Sequence, residues 1–216
     1  MTHIHARHSD VIGTESALLA ARQGKETLRL PSGTRITRAH DDLEKAAAES
    51  VRLLRWSGVA LPCVWLADAL VVPIVRWNEH GWRTRRARNV GPIVDRAWWL
   101  ASADASYGDA PDAPLDIRGF LVLGALHRSR AALGRLRTTA PVAALIPSLP
   151  APDALELIRC DYYGYSVVAA TDTKVELVLN AGTWEPPDGQ VHFQRKLREE
   201  QLFEVALRSG QAPISL

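Results

Sequence analysis

Cysteine is scarce in this chain: 216 residues hold two, Cys63 and Cys160, set far apart. With no C-x-x-C pair, a zinc ribbon and a thioredoxin-like redox motif are both excluded. Cys63 sits in the apolar run ALPCVWLA and reads as a small buried hydrophobe. Both thiols are expected to be reduced and structural, as in a cytoplasmic protein. Long apolar runs are lacking as well. The stretch from Val59 to Val75 comes nearest, but it is shorter than the ~20 residues of a spanning helix and is broken by Pro62, Asp68 and Pro73. No positive segment followed by an apolar one opens the chain, so a secretory leader is not expected. Neither sign of charge dominates. A net charge of +2 means whole-chain electrostatics neither require nor exclude a polyanionic partner. Glycine-rich phosphate loops, a G-x-S-x-G elbow, an H-E-x-x-H pair and internal repeats are all missing.

What is present is the composition of a globular protein, 47% apolar and 23% charged, in a chain long enough to bury a core. Thr14 to Gly24 reads as a short capped helix, and ETLRLPSGTRITR as a hairpin turning at Pro31-Ser32-Gly33. Residues 41 to 56 carry Leu43, Ala47, Val51 and Leu54 at helical spacing behind an Asp41/Glu44 capping pattern. Val59 to Trp77 reads as buried strand, with a helical turn at LADAL. Residues 101 to 116 read as a loop, 117 to 137 as a helix, and 147 to 153 as a second break. YGYSVVAA and KVELVLNAG read as two strands joined by TDT. A last helix covers 190 to 208, with Arg195/Glu199 and Glu204/Arg208 as i,i+4 pairs. The expected fold is α+β, with mixed α/β as the alternative: a single compact domain of helices on a mostly antiparallel sheet. Its parts are an N-terminal α/β portion (1–104), a linker (105–116), a helical segment (117–146) and a C-terminal ββα portion (153–216).

Three segments carry residues that could do chemistry. In HIHARHSD, His3 and His5 would share one face of a strand, and His8 follows; with His40 they form a candidate metal set. THIHARHSD resembles the first ligand motif of the polymerase and histidinol phosphatase family of metal-dependent phosphoesterases, whose second ligand motif would fall near ITRAHDDLE. That resemblance implies a metal-activated water attacking a phosphate ester. It covers only the first 45 or so residues, and Arg38 and Ala39 replace the first two positions of the family's T-D-H-D. A polar terminal tail is the simpler reading.

The second segment, RWNEHGWRTRRARN, holds Arg76, Trp77, Trp82, Arg83, Arg85, Arg86 and Arg88 against one glutamate. Arginine can hold phosphates bidentately and tryptophan can stack on bases; a solvated surface or the edge of a core is the ordinary alternative. In the third, Asp161, Asp172 and Lys174 have the spacing of the acid and (D/E)-x-K elements of restriction-type nucleases, while ATDTK also makes a good polar turn. Arg130 and Arg137 share a helical stripe with Leu126 and Leu133, an odd place for solvated charge. Seven tryptophans, among them the adjacent Trp98 and Trp99, suit packing or an interaction surface.

The leading expectation is therefore a cytoplasmic binding protein without a cofactor. It would meet a protein partner or a second copy of itself, and nucleic acid through residues 76–89. The rival is a metal-dependent phosphoesterase or nuclease using Mn, Zn or Mg, and a structural subunit of a larger assembly is the third reading.

Overall fold

The runs LDIRGFLVL, VAALI and SVVAA alternate between two sets of core neighbours, and this places them at the centre of a sheet. A computed structural model describes residues 27–29, 35–37, 41–102, 111–147, 154–171, 174–185 and 191–213. Its strands are β1 (Thr27–Arg29), β2 (Arg35–Thr37), β3 (Val59–Ala60), β4 (Cys63–Leu66), β5 (Ala69–Trp77), β6 (Leu115–Leu123), β7 (Val142–Ile146), β8 (Ser166–Ala170) and β9 (Val175–Leu179). The helices are α1 (Asp41–Leu53), α2 (Glu79–Ala87), α3 (Arg96–Ser102), α4 (Leu126–Arg137), α5 (Ala154–Tyr163) and α6 (Val191–Arg208). The strands form one sheet in the order β1-β2-β4-β5-β6-β7-β8-β9, with β3 also pairing β5. The β6–β7 and β7–β8 pairs are parallel, and the rest are antiparallel. This is the α+β domain on a mostly antiparallel sheet that the sequence suggests.

The period of two along each strand builds a core on both faces. Val142, Ala144 and Ile146 of β7 join Phe120 and Val122 of β6 on the face covered by α4 and α6, where Leu133, Leu136, Leu202 and Phe203 are buried. Ala143 and Leu145 point the other way, to meet Leu43 and Ala47 of α1 and Leu54 just after it. A strand apolar on both faces needs cover on both sides, which explains why β7 has no polar residue at all.

Three local readings change. LADAL is not a helical turn: Leu66 pairs with Ala69, and Ala67 and Asp68 have φ of 52° and 64°. A two-residue hairpin requires that left-handed pair to match the strand twist. Residues 117–123 are strand rather than helix, because Ile117, Phe120, Leu121 and Val122 are gripped between β5 and β7; the helix starts at Leu126. Within the expected loop of 101–116, Ala101 and Ser102 end α3, and Leu115 and Asp116 open β6. The hairpin β1–β2, helix α1, the pair β8–β9 and the last helix form where the pattern places them. Both i,i+4 pairs of α6 are made, Arg195 to Glu199 at 3.0 Å and Arg208 to Glu204 at 2.8 Å. The reading of 14–24 as a helix lies outside the described residues.

Cys63 and Cys160 are buried thiols, not joined in a disulfide. Burial pushes the Cys160 thiol up to about 11, so it stays protonated at neutral pH. Neither thiol is expected to react with Ellman's reagent in the folded protein, and both should titrate in guanidinium. Rapid labelling of either one under native conditions would contradict this packing.

Among the described residues no helix is long and apolar enough to cross a membrane.

Candidate nucleic-acid interface

The arginine-rich segment is neither loop nor exposed strand. It is the end of β5 followed by α2, and Asn78 makes the join. Its side chain accepts a hydrogen bond from the Gly81 N–H at 3.2 Å, capping the helix, and its Nδ2 donates to the Ala113 carbonyl at 3.0 Å. Gly81 lets α2 lie directly on the chain at Ala113: a Cβ there would come within 2.5 Å of the Ala113 oxygen.

Helical geometry then divides the arginines. Arg85 faces inward and is 1% exposed, in an ion pair with the wholly buried Glu200 of α6. Its remaining donors reach the carbonyls of Asp112 (3.2 Å) and Gly91 (3.1 Å). The second oxygen of Glu200 accepts from the Ile93 N–H at 2.8 Å, and the Ile93 carbonyl accepts from the Trp99 indole at 2.6 Å. One buried guanidinium thus ties α2, the segment before α3, the approach to β6, and α6 together. Desolvation pushes the Glu200 carboxyl up to about 7, against the pull of the Ile93 N–H and of Arg85. Arg85 therefore cannot serve as a surface contact; its fork of donors is spent inside.

Arg83, Arg86 and Arg88 are exposed at the other side and the end of the same helix, and Arg76 is exposed on β5. Arg83 pairs with Glu79 one turn earlier, and Arg76 with Asp116 at 3.1 Å. Such solvated pairs contribute at most about 1 kcal/mol and exchange readily for another anion. The tryptophans do not form a stacking platform. Trp77 and Trp82 are half-buried, edge-to-face with ring centroids 5.9 Å apart, and Trp82 meets Phe203 of α6 at 5.8 Å. They cover the core under α2. Trp98 and Trp99 also pack on each other, with Trp99 buried.

Of the other candidate sets, only Asp161 and Lys174 are among the described residues. Asp161 lies on α5, exposed and in a helix rather than beside a strand end. Lys174 is exposed, opens the turn into β9, and pairs with Glu176 at 2.7 Å. Asp172, His3, His5, His8 and His40 lie outside the described residues. Among the described residues no three metal-ligating side chains gather into a group.

One feature of the surface was legible only in part. Between α4 and α5 runs an open groove of about 360 Å³ lined by His127, Arg128, Arg130, Ala131, Tyr163 and Tyr165. The oddly placed Arg130 lines it and faces Glu156 of α5 at 3.4 Å, while Arg137, outside the groove lining, donates to the Gly164 carbonyl at the end of α5 at 3.2 Å. Their position on the Leu126/Leu133 stripe was the available signal, since charge on a core-facing stripe needs a neighbouring element. That element is α5, whose apolar stripe faces outward and gives no core-facing pattern in the sequence.

Comparison with protein-family models, with curated proteins and with solved structures finds no match for this chain.

Proposed function

We propose that this chain is a binding protein that holds nucleic acid by its phosphate backbone through Arg83 and Arg86 of α2 and Arg88 at its C-terminal cap. The observation that supports this is the division of labour on α2. Arg85 is committed to a buried ion pair that fixes the helix, so the neighbouring arginines are offered from a rigid element rather than from a loop. Rigid donors lose less freedom on binding. The proposed contact is to phosphate, and such contacts carry little sequence preference.

The test is fluorescence anisotropy with a labelled 20-base-pair duplex between 50 and 200 mM salt. Affinity should fall linearly on log–log axes, and replacing all three arginines by alanine should lower the slope by about 2–3, since each phosphate contact contributes about 0.9. An unchanged slope, or no binding at 50 mM salt, refutes the assignment. Hydrolysis of the duplex on adding Mg²⁺ or Mn²⁺ would favour the metal-dependent phosphoesterase instead.

A further inference from the structure

Helix α5 turns an apolar stripe to solvent. Leu155, Ile158 and Tyr162 are 54%, 64% and 83% exposed and fall at i, i+3 and i+7, on one face of the helix. Tyr163, 52% exposed, continues the patch into the groove beside α4, where its ring stacks near Tyr165 at 5.8 Å. Isolated exposed leucines are ordinary, but four large side chains in register on one short helix are not.

The charge around this stripe has one dominant sign. Glu156, buried under α5, is shared by two guanidiniums: Arg159 at 2.6 Å and Arg130 at 3.4 Å. Arg137 is satisfied by a carbonyl rather than a carboxylate. Arg128 adds to the same rim. Against these, the described outer surface of α5 holds one exposed carboxylate, Asp161. The apolar centre and basic rim have the composition of a protein-binding surface, where tyrosine and arginine are enriched.

We propose that the α5 stripe and the α4–α5 groove together dock a polypeptide segment, of a different protein, whose apolar side chains are edged with carboxylates. A second copy of this chain fits poorly, because a two-fold contact would set one basic rim against the other. Nucleic acid leaves Leu155 and Ile158 without a partner. An anionic bilayer is flat, whereas the groove beside the stripe is recessed. This inference concerns residues of α4 and α5, none of them among the α2 arginines, and stands apart from the nucleic-acid reading.

A phage-displayed library of random 16-residue peptides, selected on the full chain, tests it. Enriched peptides should carry aspartate or glutamate around apolar residues spaced i, i+3, i+7. As synthetic peptides they should bind at least tenfold more weakly to a Leu155→Ser/Ile158→Ser/Tyr162→Ser variant, and weaken as salt rises. They should bind the Arg83/Arg86/Arg88 alanine variant as well as the original. The substituted side chains are exposed, and an unchanged melting temperature verifies that the variant is folded. The proposal is overturned if no peptide is enriched, if the enriched peptides are basic, or if they bind the serine variant equally. It is also overturned if the stripe instead mediates a dimer, or binding to phosphatidylserine vesicles, that the serine variant abolishes.

Discussion

Replacing Arg85 by alanine should destabilise the protein by about 3–5 kcal/mol at pH 8, the cost of leaving a buried charge without its partner. Glu200 would then be a carboxylate with one N–H donor and no cation, in a site with no solvent access. The deficit should shrink toward pH 5. In the folded protein Glu200 already titrates near 7, well above an exposed glutamate, so the fold binds its proton more tightly than the unfolded chain does. That preference means stability falls as pH rises from the ordinary glutamate range through about 7. Removing Arg85 raises the folded value further, so the extra loss appears only once the original protein's Glu200 is ionised. Urea titrations of both proteins at pH 5 and pH 8 measure the two differences directly. An equal deficit at both pH values would show that the lost packing of the guanidinium, and not its charge, is what matters.

The second large effect comes from an exchange that helix propensity alone would favour. Gly81→Ala should stabilise α2 by about 1 kcal/mol on propensity. The new methyl, however, would sit 2.5 Å from the Ala113 oxygen, a backbone atom that cannot swing aside. Overpacking of this kind costs about 1–3 kcal/mol, so the net change should lie between about zero and a loss of about 2 kcal/mol. Gly91→Ala, where a Cβ meets nothing, should stay within about 0.5 kcal/mol and serves as the control. If α2 moves to relieve the contact, duplex binding through Arg83, Arg86 and Arg88 should weaken with all three arginines intact. Thermal melts and the same anisotropy assay read both outcomes; a stabilised Gly81→Ala protein would mean the helix lies further from Ala113.

The segment 117–123 shows where one-dimensional pattern fails. IRGFLVL is a short apolar run, and periodicity cannot separate a buried strand from a buried helix of that length. Its pairing with β5 on one side and β7 on the other decides the matter, and both partners are distant in sequence. Helix α5 was missed for the opposite reason: its stripe faces outward, so it lacks the inward apolar signature by which helices are found. Leu43 and Ala47 of α1 are visible because their face meets the sheet, and β8–β9 because neighbours in sequence pair in space.

The sequence by itself determined that the arginines of 76–89 are a cluster, that the cysteines are structural, and that strands and helices share one α+β domain. Those properties follow from composition and from contacts between residues close along the chain. Only the tertiary structure decided which arginine is which. Arg85 and Arg86 are adjacent and chemically identical, yet helix α2 turns one inward to Glu200, far away in the chain, and the other to solvent. The same holds for Arg130, whose partner Glu156 belongs to a helix that the linear pattern did not reveal. A buried charge is defined by what surrounds it in space, and that is the property a linear reading does not contain.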